Sequence, residues 1–162
     1  MFKVTPDLAN QKVIIQIRNL ISTQKTAIRR AFYFSGKDLV KTSKAMIMEK
    51  PKHGRLYRLK KHGLTVLHRA SAPGEAPANF TGALKNSVDF TVSGAEKMIF
   101  GSRLYFPDRK GTPAGVKYGG YLEHGTKKIA PRPYLEPSIV KNYRNIQTHF
   151  EKHLKQKLTG YV

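Results

Sequence analysis

The chain has 162 residues, of which 40% are hydrophobic and 25% are charged, a composition typical of one globular domain and not of a disordered chain. It contains no cysteine, which excludes disulfides, thiolate metal sites and cysteine nucleophiles. Thirty Lys and Arg residues stand against ten Asp and Glu residues, so the formal net charge is +20. Such a charge favours a polyanionic partner, namely nucleic acid, an acidic protein surface or anionic lipid. The alternative is a basic surface that serves only solubility.

The N-terminal segment, residues 5–48, is predicted to be mainly helical, because its apolar residues recur every three to four positions. Thr5 is the predicted N-cap. Gly36 is a candidate for a bend or a break in this helix. We expect the helix to end before Pro51, because the residue that precedes a proline disfavours helical geometry.

Residues 55–69, "RLYRLKKHGLTVLHR", are predicted to form two short strands around a turn at residues 61–63. The segment has no acidic residue, and we expect its basic side chains to face DNA: Arg55, Arg58, Lys60, Lys61 and Arg69. The alternative is an edge hairpin whose lysines protect it against aggregation.

The middle of the chain is predicted to be strands joined by turns. A loop at residues 70–84 leads into a short helix, for which Thr81 is the predicted N-cap. "SVDFTVSG" alternates apolar and polar residues and predicts a half-buried strand, with "KMIFGSRLYF" as its antiparallel partner. Residues 107–115 are rich in proline and glycine and are predicted to form a polar loop.

The C-terminal segment is predicted to be a long helix. Its apolar residues recur at steps of three and four and predict a core face: Leu135, Ile139, Tyr143, Ile146, Phe150, Leu154 and Leu158. Strands and helices are segregated along the chain, which predicts an α+β fold. We expect a single domain over residues 1–162, in which an antiparallel sheet with a basic hairpin packs against long N- and C-terminal helices.

The sequence offers little for catalysis. His149 and His153 are four residues apart on a predicted helix, but no third metal ligand lies near them in the sequence. Glu123 and His124 are adjacent, so on a helix their side chains would diverge by about 100°. The chain has no nucleophile elbow, no dinucleotide fingerprint and no phosphate-binding loop. We therefore expect no enzymatic activity, no cofactor and no bound metal.

The segment "YGGYLEHGTKKIAPRPYLEPSI", residues 118–139, predicts a rigid surface for another protein chain. Tyrosines and leucines supply large contact faces, and the prolines and glycines restrict or shape the backbone. We expect the following residues to contact a second subunit or a partner: Tyr118, Tyr121, Leu122, Glu123, Arg132 and Tyr134. Arg132 lies between two prolines and is expected to pair with Glu123 or Glu136, within a subunit or between subunits. The alternative is a loop that packs on its own core.

Two stretches of the sequence resemble a known family. "SAPGEAPANFTGALKNSV" (71–88) and "YGGYLEHGTKKIAPRPYLEPSI" (118–139) resemble the signature stretches of the neck or tail-completion proteins of long-tailed bacteriophages and prophages. The residues that match the family pattern are Gly74, Glu75, Pro77, Thr81, Gly82, Leu84, Tyr121, Glu123, Gly125, Thr126, Arg132, Pro133 and Pro137. The strong positive charge is a departure, because the family pattern does not require it.

This resemblance implies a structural protein of the virion, assembled in the host cytoplasm and placed at the head–tail junction or the top of the tail. It implies a ring homo-oligomer that contacts adjacent connector and tail proteins, joins or closes the tail, and surrounds the channel through which double-stranded DNA passes. The resemblance implies no membrane partner. The alternative function is a stand-alone basic nucleic-acid-binding protein. Such a protein would need aromatic residues interleaved with basic ones for base stacking, and Tyr57 in the hairpin gives only weak support for this pattern.

Overall fold

The computed structural model describes residues 8–61, 63–102, 105–106 and 116–158. Its elements in chain order are α1 (Leu8–Met48), β1 (Leu56–Lys61), β2 (Leu64–Arg69), α2 (Ala83–Ser87), β3 (Val88–Ser93), β4 (Lys97–Ser102), β5 (Tyr105–Phe106), β6 (Val116–Lys117), α3 (Tyr118–His124) and α4 (Glu136–Leu158). The strands pair as three antiparallel ladders, β1–β2, β3–β4 and β5–β6. The predicted α+β fold, with long helices at both ends, is therefore confirmed. Within these residues, no helix combines the length and the apolar character that crossing a bilayer requires.

The two long helices pack against each other in antiparallel orientation and form the centre of the fold. The Ser43 hydroxyl of α1 lies 2.9 Å from the Ser138 hydroxyl near the start of α4. Farther along α4, the Phe150 ring meets the Phe32 ring of α1 edge to face at 5.2 Å. Because α1 has 41 residues and α4 has 23, the N-terminal part of α1 extends beyond the end of α4.

Near the start of α4, the contact between these helices is made by small and polar side chains, and we call this part the polar seam. The buried residues there include Ser43 of α1 and Ser138 and Asn142 of α4. The Asn142 amide donates a hydrogen bond to the Thr42 hydroxyl at 2.8 Å. Small side chains let the two backbones approach closely, and these polar groups bond to one another across the seam.

The polar seam changes the predicted orientation of α4. The apolar stripe was expected to face the core, but Ile139 is 44% exposed and Tyr143 is 60% exposed. Ser138 and Asn142 are buried instead, and each precedes one of these residues by one position, about 100° around the helix. The prediction was wrong for the first half of α4, because α1 offers small hydroxyl-bearing partners there.

The β1–β2 hairpin confirms the predicted strands, with pairing from Leu56↔Arg69 to Lys61↔Leu64. It makes its contacts mainly between its own two strands. The β3–β4 ladder instead packs on α1, with Val88 buried and Phe90 half-buried, as the alternating pattern predicted.

Gly36 does not bend or break α1, which continues through it. A Cβ atom at this position would lie 2.3 Å from Cδ2 of the Phe90 ring. The glycine therefore serves the close approach of β3 to α1, and the expected bend was wrong.

Two predicted caps have different outcomes. The N-cap of α2 is Gly82 and not Thr81; Gly82 has a φ of 84°, a left-handed value that glycine adopts easily. The Thr81 hydroxyl still accepts a hydrogen bond from the Ala83 N–H at 3.3 Å. The predicted cap at Thr5 and the predicted loop at residues 107–115 lie outside the described residues.

The close contact at Gly36 gives a stability prediction. Gly36→Ala adds a methyl group against the Phe90 ring, and overpacking of this kind costs about 1–3 kcal/mol. Alanine gains about 1 kcal/mol over glycine in a helix, so the net loss in the free energy of unfolding should reach about 2 kcal/mol in urea titrations. Gly101→Ala is the control, because a Cβ there meets no atom within 4 Å. Equal stability of the two variants would contradict this account of the packing.

Candidate functional site

The segment of residues 118–139 begins with α3 and a tight turn. Gly125 follows α3 with a φ of 74°, and a Cβ atom there would lie 2.7 Å from the Ile129 carbonyl oxygen. The Thr126 N–H donates to that carbonyl at 2.8 Å, and the Thr126 hydroxyl accepts from the Ile129 N–H at 3.1 Å. The "GT" of the motif therefore forms a closed turn that leads the chain back toward α3.

Glu123 caps the N-terminus of α4. Its Oε2 atom accepts hydrogen bonds from the Tyr134 N–H at 2.9 Å and the Leu135 N–H at 3.0 Å, and its Oε1 atom accepts from the Glu136 N–H at 2.8 Å. These N–H groups lie at the positive end of the helix dipole, which a carboxylate stabilises. The carboxylate is buried inside the subunit. The structure thus gives Glu123 an internal role in place of the predicted contact with a partner.

Arg132 joins the two stretches that carry the family resemblance. Its backbone N–H donates to the Leu122 carbonyl at 2.7 Å, and its Nε donates to the Ser71 carbonyl at 3.3 Å. Next to it, the Gly74 N–H donates to the Pro131 carbonyl at 2.9 Å. Within the subunit, Arg132 therefore bonds to carbonyl groups and not to Glu123 or Glu136, and its pairing between subunits stays a prediction.

Glu75 fixes the first of these stretches to the loop between α1 and β1. It accepts hydrogen bonds from the Ala72 N–H at 2.8 Å and the His53 N–H at 3.1 Å, and its other oxygen lies 3.1 Å from His53 Nδ1. The backbone hydrogen bonds from Ala72 and His53 lower the pKa of Glu75 to about 2. The "PGE" motif is therefore an anchor for the loop before the hairpin.

Two residues of the predicted interface belong to the hydrophobic core. Leu122 and Tyr134 are buried among Ile47, Ala76, Leu84 and Val88. Burial raises the pKa of Tyr134 to about 12. A Cβ atom at Gly119 would lie 2.9 Å from the Tyr134 hydroxyl oxygen, so this glycine makes room for the ring. The alternative of a loop packing on its own core holds at these positions.

Two groups of exposed large side chains lie on α3 and α4. On α3, Tyr118 is 37% exposed and Tyr121 is 47% exposed. On α4, the outward stripe consists of Ile139, Val140 and Tyr143, of which Val140 is 70% exposed. The apolar spacing of α4 had predicted a core face here and not a surface. The small residues of α1 that bury Ser138 and Asn142 were the signal that could have revealed it.

The hairpin brings together three of the five predicted DNA-facing residues. Arg58, Lys60 and Arg69 share one face, because side chains alternate along each strand and Leu56 pairs with Arg69. Arg55 lies over the Tyr57 ring at 5.6 Å, on the side of the other face. Lys61 ends β1, and its side chain lies outside the described residues.

The histidines of α4 pack against α1. His149 Nε2 lies 2.8 Å from Asp38 Oδ2, and the rings of His149 and His153 stack on Phe34 at 5.8 and 5.2 Å. Burial lowers the pKa of His153. Across the described ranges, no group of three His, Asp or Glu residues is placed to hold a metal ion.

No protein-family model, curated protein or solved structure matches this chain.

The cap on α4 gives a second stability prediction. Glu123→Ala leaves three N–H groups without their acceptor, of which that of Tyr134 is buried and the other two are partly buried, so we expect the free energy of unfolding to fall by about 2–3 kcal/mol in urea titrations. Glu136→Ala is the matched control; it removes an exposed carboxylate from the same helix end and should cost no more than about 1 kcal/mol. Equal losses in the free energy of unfolding for Glu123→Ala and Glu136→Ala would contradict the role of Glu123 as the cap of α4.

The Glu75 anchor gives a pH prediction. The pKa of Glu75 is lower in the folded chain than its ordinary value of 4.5, so its contribution to stability is present above pH 4.5 and is lost as the pH falls toward 2. Glu75→Gln lacks this contribution at every pH. The melting temperatures of the two proteins should therefore differ most above pH 4.5 and converge toward pH 2. A difference that stays constant over this range would contradict the assignment.

Proposed function

We propose that this chain is a non-catalytic structural protein of a tailed phage or prophage virion, placed at the head–tail junction or the top of the tail. It assembles into a ring that joins or closes the tail and lets DNA pass. The observation that carries the proposal is the contact between the two stretches that resemble the family, residues 71–88 and 118–139. Arg132 and Pro131 of the second stretch bond to Ser71 and Gly74 of the first.

The matching residues form one folded unit, which supports their use as a family signature. Glu75 anchors the loop, Glu123 caps α4 and Gly125 shapes the turn. Each of these roles needs its particular side chain, or the lack of one, at that place in the chain. The residues that match the family pattern are thus residues with a structural role in this chain. Proteins that share a fold are expected to share such residues.

This unit holds α3 rigidly and presents its tyrosines to a neighbour. The α3 helix follows β6 directly, and the bonds of Arg132 and Glu123 tie it to the start of α4. Rigid presentation reduces the conformational freedom lost on association, and exposed tyrosines are frequent anchors of interfaces. Tyr118 and Tyr121 are therefore the proposed contact residues of this segment.

The outward stripe of α4 supplies a second apolar surface. In a ring, each subunit contacts its two neighbours through two different surfaces, because the contacts run head to tail. Exposed apolar residues on α3 and on α4 support such an arrangement. In the proposal, other copies of the chain lie on both sides, and the adjacent connector and tail proteins lie above and below.

The exposed basic hairpin favours a second candidate, a stand-alone nucleic-acid-binding protein. Phosphate contacts by lysine and arginine need no further motif, and the charge of +20 would strengthen them. The two candidates differ in where the chain is found. A neck protein is a fixed component of purified virions, whereas a stand-alone binder is absent from them.

Incorporation into particles tests the proposed function. Tyr121→Ala and Tyr143→Ala should each leave the isolated chain folded, because both side chains are exposed, and together they should abolish incorporation into virions. Ile99→Ala, an exposed apolar change on β4, is the control and should incorporate normally. The measurement is the amount of the chain in purified particles, with imaging of virions to locate its density.

Normal incorporation of the double tyrosine variant would show that Tyr121 and Tyr143 do not form the proposed interface. Absence of wild-type density from the head–tail junction and the tail top would refute the proposed function itself.

A further inference from the structure

We infer that one face of the β1–β2 hairpin binds the phosphate backbone of double-stranded DNA through Arg58, Lys60 and Arg69. The choice of duplex DNA as the polyanion rests on the proposed function, in which DNA passes this protein. We call this surface the basic face, and its members are Leu56, Arg58, Lys60, Thr65, Leu67 and Arg69.

The register of the hairpin creates the basic face. Arg58 pairs with Leu67 and Lys60 pairs with Thr65, so their side chains point to the same side as Arg69. Arg58 and Lys60 are two residues apart on one strand, which places them about 6.8 Å apart along it. The three cations therefore form a compact group that chain order alone does not show.

The cations of the basic face are open to solvent. All six residues of this face are exposed. On the opposite face, Leu59 and His68 are half-buried, and the His68 ring lies 4.8 Å from the Phe80 ring. Arg58, Lys60 and Arg69 are therefore accessible to a ligand.

Charge around the hairpin also favours a polyanion. Residues 55–69 contain no acidic residue. The base of the hairpin lines a groove of about 720 Å³ with the end of α1, where Lys50, Lys52 and Arg69 outnumber Glu49, the single carboxylate among the described lining residues. A ligand that approaches the basic face therefore meets positive charge at the base of the hairpin as well.

The shape of the hairpin suits the same ligand. A two-stranded ribbon fits the major groove of B-form DNA, which is about 12 Å wide. Leu56 and Leu67 lie between the cations and offer no hydrogen bond to a base edge, and phosphate contacts by Arg58, Lys60 and Arg69 need no particular base sequence. Binding should therefore be independent of sequence, as the passage of a whole genome requires.

The experiment compares two triple variants of the full chain that remove the same charge. The first removes the cations of the basic face: Arg58→Gln, Lys60→Gln and Arg69→Gln. The control removes three exposed cations outside the hairpin: Lys127→Gln, Lys128→Gln and Lys141→Gln. Circular dichroism and thermal melting first establish that both variants fold as the wild type does.

The readout is the affinity for two short DNA duplexes of unrelated sequence as a function of salt concentration. Each phosphate contact contributes about 0.9 to the slope of log affinity against log salt, so the basic-face variant should lose about 2.7 of that slope on both duplexes. The control variant should keep the wild-type slope. This result would support the inference.

Two results would overturn it. An equal loss of slope in both variants would mean that only the total charge attracts DNA. An unchanged slope in the basic-face variant would mean that these cations contact an acidic protein surface. Neither result depends on where the chain lies in a virion, because the binding is measured with purified protein. Failure of the proposed function would appear instead in the particle experiments.

Discussion

The Glu123 carboxylate accepts hydrogen bonds from three successive backbone N–H groups at the start of α4, and the arrangement of residues 118–139 depends on this contact. A helix start buried inside a protein needs acceptors for its free N–H groups, since water cannot reach them. Glu123 supplies them from a neighbouring helix. The contact thereby fixes the distance between α3 and α4 and gives Arg132 and Tyr134 their positions. The same carboxylate cannot also serve a substrate or a partner.

The second constraint is the polar seam between α1 and α4. The serine, threonine and asparagine side chains of this contact form hydrogen bonds that fix the rotation of α4 about its axis. Ile139 and Tyr143 then lie on the surface, 44% and 60% exposed, where they stabilise an isolated subunit less than buried side chains would. The seam thus connects the packing of one subunit to the surface that a neighbouring subunit is proposed to use.

The hairpin depends little on the rest of the molecule. Its contacts lie mainly between its own strands, so its shape is set by local pairing and by the turn at Gly63, which has a φ of 79°. Such a hairpin can carry a dense positive charge without placing it near the core, where charge would be costly. In the proposed ring, this element lies where the channel DNA passes, while α3 and α4 hold the subunits together.

The sequence by itself determined the local elements. Alternation of apolar and polar residues predicted β3, and strand-forming residues around a turn predicted the hairpin. The three-to-four spacing predicted α1 and α4, because such patterns arise from the geometry of one segment. Only the tertiary structure decided which side of each element is buried. Small residues on α1 turned the stripe of α4 outward, and the approach of Phe90 explained Gly36. Glu123, Leu122 and Tyr134 looked like surface residues in a tyrosine-rich turn, yet they are internal. Burial depends on which distant segment covers a residue, and no local pattern records that.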